Sequence, residues 1–140
     1  MARFGCFKNG WIEVNGVVLS DHCTEFGLEE TAEELPNHAH GDDVAQVTPG
    51  LFNWTIRATF LQDFAAANVH RTLRPLFNAR TQHAIRVRPD AGVVSLTNPM
   101  YSGMAFIFSY QPMRGAHGNN LTTEVVFRPA SGALSEITVP

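Results

Sequence analysis

The sequence predicts a mainly β domain, an antiparallel β-sandwich or partly open barrel of about seven strands with one flanking α-helix and a long acidic loop. Three observations predict it. Apolar and polar residues alternate in short runs punctuated by turn residues, the period of half-buried strands. In one stretch only, residues 66–77, the spacing turns helical: Val69 and Leu73 are four apart and Leu76 follows three later. The segment 30–49 carries acidic residues, Pro36 and Gly41 with almost no apolar period, so it reads as a long loop.

Taken in order, Trp11–Val14 and Val17–Leu19 flank Asn15-Gly16, a hairpin signal because both turn residues accept positive φ. Thr24, Phe26 and Leu28 alternate as a half-buried strand reaching about Glu29. Val44 and Val47 allow a brief strand near the end of the acidic segment, and Thr48-Pro49-Gly50 turns into a long strand, Leu51 to Gln62. There Trp54, Ile56, Ala58 and Phe60 share one face and Thr55, Arg57 and Thr59 the other. Asp63 or Asn68 is placed to cap the helix, and Pro75 is expected to kink or end it. His83–Arg88 and the run YSGMAFIFSYQP make two more strands. In the second, alternation sets Met104, Phe106, Phe108 and Tyr110 against Gly103, Ala105, Ile107 and Ser109. A glycine-rich loop, Met113 to Asn120, leads to a last strand through Leu121, Thr123, Val125 and Phe127 and then a loosely specified tail. Residues 1–140 thus read as one domain.

Thirteen acids against ten bases give a net charge of −3, too little asymmetry to imply a nucleic-acid grip or membrane adhesion. No apolar run is long enough to span a bilayer, and MARFGCFKNG lacks the apolar core of a signal peptide, so the expectation is cytoplasmic synthesis without membrane insertion. The distribution is more informative. No Lys or Arg occurs between Lys8 and Arg57, where nine acids lie, while eight of the ten bases lie from Arg57 onward. Such polarity suits a subunit that orients copies of itself.

Catalytic motifs are missing: no phosphate loop, no nucleophile elbow and no paired zinc histidines. Asp21-His22-Cys23 cannot converge on one reacting group as three consecutive residues. Cys6 and Cys23 read as buried or half-buried thiols. His38, His40 and Asp42 in HAHGDD are weak metal candidates on a segment with no rigid framework. Arg71, Arg74, Arg80, Arg86 and Arg88 form a local basic cluster without the aromatic interleaving of a nucleic-acid platform. A small carbohydrate- or metal-binding module is the alternative from a different functional class.

From VNGVVLS to the strand ending VVFRP, and above all in TPGLFNWTIRATFLQDFAAANVHRTLRPLF, the chain resembles the major tail tube protein of long-tailed bacteriophages. NPMYSGMAFIFSYQPMRG resembles that family's later hairpin. The resemblance implies a non-enzymatic virion protein, needing no cofactor, that forms stacked hexameric rings. Its partners would be copies of itself, a tape-measure protein, tail terminator and tail-tip proteins, and double-stranded DNA in transit, with assembly in the host cytoplasm. It implies inter-ring or inter-subunit contacts at Glu29, Glu30, Glu33, Glu34, Pro36, Asp42 and Asp43. Thr55, Arg57, Thr59, Gly103 and Ser109 are the candidate channel or subunit face. Tail terminator, baseplate and secretion-tube subunits are related alternatives.

Overall fold

The computed structural model describes residues 10–140; Cys6 and Lys8 lie outside the described residues. Seven strands and one helix follow in order: β1 (Trp11–Val14), β2 (Val17–Val18), β3 (Cys23–Pro36), β4 (Val47–Leu61), α1 (Val69–Ala79), β5 (His83–Arg88), β6 (Met100–Arg114) and β7 (Thr122–Ile137). A single 3-10 turn, Ser20–His22, joins β2 to β3. All seven strands belong to one antiparallel sheet in the order β2-β1-β5-β6-β7-β4-β3. Of the two architectures the sequence allows, this is the open one, a sheet that curls without closing into a barrel.

The core fills the concave side. Ile12 and Val14 of β1, Trp54, Ile56, Ala58 and Phe60 of β4, Ile85 and Val87 of β5, and Val125 and Phe127 of β7 are buried together. Val69 and Leu73 of α1 enter the same cluster, so the helix plugs the opening the curl leaves. Phe26 and Leu28 of β3 pack on it as well and share a cleft with Val87 of β5 and Tyr101 of β6.

Three expectations change. The alternation in β6 does not run through to Tyr110: Ala105 and Ile107 are buried, while Met104 and Phe108 are exposed. Register shifts along β6, including one between Ile107 and Ser109, break the simple period, and after that bulge Tyr110 returns to the core side. The helix does not stop at Pro75. It continues to Ala79, because a proline forfeits one backbone bond while Leu73 and Leu76 still hold the helix to the core, and it closes at Arg80 in the left-handed conformation (φ 55). The tail after Phe127 is strand: β6 is long enough to pair with β7 as far as Ile137, and irregular register absorbs Pro129.

Candidate assembly surfaces

The segment read as a loop over 30–49 is half paired strand, at 30–36 and 47–49, around a looped tip at 37–46. β3 and β4 form a ladder from Cys23 opposite Phe60 out to Pro36 opposite Val47, with Asn37 N donating to Gln46 O (2.8 Å) to begin the tip. The acidic residues and Pro36 hide a strand that β4 recruits by backbone bonding, which needs no apolar period. Trp54 is the last buried residue of β4 going outward, so the hairpin beyond it is a projecting arm. Leu51 and Phe52 on that arm are each 80% exposed. Glu29, Glu30, Glu33, Glu34, Asp42 and Asp43 are all exposed on it too.

At the tip, Asp42 Oδ2 accepts the Ala39 amide (2.6 Å) and closes a turn. Among the described residues no three His, Cys, Asp or Glu side chains gather as a metal site. Cys23 is pushed up to about 12 by burial and bonds toward Glu25 O, so its thiol stays protonated and unreactive near neutrality.

Register assigns a polar outer face to the middle of the sheet. Arg57 stands opposite Gly27 and Val126, and Val126 opposite Ser109. Thr59 stands opposite Glu25 and Glu124, and Thr55 opposite Glu29. Thr55, Arg57, Thr59 and Ser109 therefore share one face with three carboxylates. Gly103 sits apart from them, against the Trp54 ring on the core side.

The basic cluster of the sequence is divided. Arg86 reaches Glu13 (3.9 Å), and Arg88 lies over the Trp11 ring (4.2 Å) while donating to Asp90 O and Ala91 O. Arg71, Arg74 and Arg80 are exposed on the helix and its C-cap. Beside Arg80, a groove of about 520 Å³ runs between the end of α1 and β6, lined by Phe77, Asn78, Arg80, Phe106, Ile107 and Phe108.

Sequence reasoning missed two polar clusters that fix the helix entry. His22 Nε2 meets Asp63 Oδ2 (2.9 Å) and His22 Nδ1 meets Asp21 Oδ1 (2.9 Å), while Asp63 also accepts from the Ala65 amide and Asn68 Nδ2. Asn68 is thus tied to Asp63 instead of capping the helix with its own side chain. Hydrogen bonds to Asp21 and Asp63 hold the His22 imidazole above its usual range against a partial burial penalty. Next to them His70 Nδ1 bonds Tyr110 Oη (2.8 Å). The pairing of residues 41 positions apart left no local signal.

This architecture recurs in solved assemblies. The chain matches one from the virion of a native gene transfer agent particle at a TM-score of 0.74 and 17% identity, over 98% of this chain and 100% of that one. It matches the SPP1 tail tube protein at 0.71 and 9% identity, over 94% of this chain and 77% of that one. The chain has the tail-tube fold. A chain of the six-fold symmetrised baseplate of the anti-feeding prophage matches at a TM-score of 0.66 and 9% identity, each chain covered to 99%. No family model and no curated protein matches the sequence. Among the described residues no helix is long and apolar enough to cross a membrane.

Proposed function

We propose that this chain is a structural subunit of a phage-like tail tube, assembling with copies of itself into stacked hexameric rings through which a genome is delivered. The observation that carries the reading is the projecting arm: an acidic hairpin with Leu51 and Phe52 bare to solvent, on a fold matched end to end by a chain of a gene transfer agent virion. Such a hairpin is marginal alone, and a second copy supplies what covers it. Two further features support it. Among the described residues the sheet ends in unpaired edges at β2 and β3, a liability that side-by-side joining removes. A comparison chain comes from a gene transfer agent tail with C6 symmetry, matched at a TM-score of 0.69 and 17% identity over 96% of this chain and 98% of that one.

In this reading Thr55, Arg57, Thr59 and Ser109 belong to the channel face. Glu25 and Glu29 beside them oppose phosphate binding, while Glu124 is paired with Arg114, so DNA passes without being gripped. The tape-measure protein occupies the same channel during assembly, and terminator and tail-tip proteins meet the two ends. The protein works in the virion without catalysis. A second reading, a subunit of a single baseplate or terminator ring, is favoured by the full-length match to the baseplate chain.

Electron microscopy and light scattering of the purified protein, alone and with the tape-measure and initiator partners, separate these outcomes. Long stacked tubes are expected. Single rings that never stack would select the second reading, and monomers under every condition would overturn both.

A further inference from the structure

We infer that the groove between the C-terminal end of α1 and β6 is the receptor for the arm of a second copy of this chain, with Phe52 as the apolar anchor and Glu33 and Glu34 set against Arg80 and Arg128. The inference rests on the self-assembly reading and names the surface that the arm meets.

The groove is aromatic and cationic. Phe108 is 59% exposed and Phe77 36%, and Phe106 stacks edge-on against Phe108. Arg80 stands at one wall as the helix C-cap. The Arg128 guanidinium lies 5.8 Å over the Phe108 ring. Among the described residues, the Arg–carboxylate pairs within the chain are Arg86 with Glu13 and Arg114 with Glu124, so Arg80 and Arg128 lack a carboxylate partner. An aromatic floor with two uncompensated guanidinium groups fits a ligand that is apolar and acidic together.

The arm has that chemistry. Between Glu29 and Phe52 it carries six carboxylates and no Lys or Arg, and among the described residues none of the six is in an ion pair. Phe52 lies opposite Ala32, close to Glu33 and Glu34 on the partner strand. The arm cannot fill its own groove. From Trp54 to Val47 the ladder extends outward by roughly 23 Å at strand rise. The groove lies on β6, which is separated from β4 by β7, and a continuous β-ladder does not fold back across its own sheet. Donor and receptor are different surfaces, so the contact is head-to-tail and repeats from copy to copy.

The test uses the full-length protein under conditions where wild type assembles, with circular dichroism to verify folding. The variants are Arg80→Glu/Arg128→Glu on the groove, Glu33→Arg/Glu34→Arg on the arm, and the combined charge swap. Each reversal is expected to raise the critical assembly concentration at least about tenfold, the swap to restore it, and a mixture of the two reversed proteins to co-assemble. A second measurement is independent of charge: Phe52→Cys/Phe77→Cys protein should form intermolecular disulfides on oxidation, and neither single variant should. Tubes from all reversed variants without that disulfide would overturn the groove assignment and leave the tail-tube reading standing. Disulfide-linked oligomers that never become rings or tubes would keep the groove and overturn the tail-tube reading. If the reversed variants lose only binding to an added tail protein, the groove serves that other protein and the inference fails.

Discussion

Gly103 of β6 lies against the indole of Trp54 on β4: a Cβ at position 103 would fall 2.9 Å from Trp54 Cζ2 and 3.0 Å from Leu134 Cδ1. The glycine is what lets the Trp54 ring approach β6 so closely at the root of the arm. Gly103→Ala therefore overpacks a rigid ring, and it should destabilise the fold by about 1–3 kcal/mol in urea unfolding. An unchanged midpoint would mean that Trp54 is not seated there.

Leu73 carries the helix. It is fully buried in the common core, three turns of α1 bearing only Val69 as a second fully buried anchor. Leu73→Ala should cost about 2–5 kcal/mol by the same measurement. A loss well under 1 kcal/mol would show that the helix is not fixed to the sheet.

The faces of β4 and the anchor positions of α1 were legible in the sequence because burial there follows an unbroken period of two or of about four. The arm was not, since Glu30–Pro36 pairs through its backbone and buries nothing, which leaves polar composition as the only visible signal. In β6 the alternation left open which face turns inward; Ala105 and Ile107 do, and the bulge before Ser109 resets the period so that Tyr110 parts from Phe108. The candidate face was readable for Thr55, Arg57, Thr59 and Ser109 as neighbours. It was not for Gly103, whose role depends on a tryptophan about fifty positions away.

His22 makes the helix entry pH-dependent. Its folded pKa is raised above 6.5, mainly by the hydrogen bond to Asp21 and also by Asp63. The protonated clamp therefore contributes its full stability below pH 6.5 and loses it as pH rises through the folded value. His22→Gln should lower the melting temperature more at about pH 5.5 than at about pH 8.5. Equal losses at the two pH values would show that charge on His22 plays no part.

His83 has the opposite sign. It is buried against Phe127 with its ring centroid 5.7 Å away, its Nδ1 faces Thr81 O at 3.5 Å, and its Nε2 has no partner among the described residues. Burial holds its folded pKa below 6.5, so the folded state resists the proton that the unfolded state takes up. Its contribution is complete above pH 6.5 and falls as pH drops through that value toward the folded one. Acid should thus weaken wild type through His83 in the range where it strengthens the His22 clamp. His83→Leu removes the titrating group and the unpartnered nitrogen together, and it should flatten the acid limb of the stability–pH curve below about pH 6.5. The double variant with His22→Gln should lose the opposing dependence as well, because the two sites sit on different elements and their effects add. An acid limb unchanged by His83→Leu would assign the acid sensitivity to carboxylates instead.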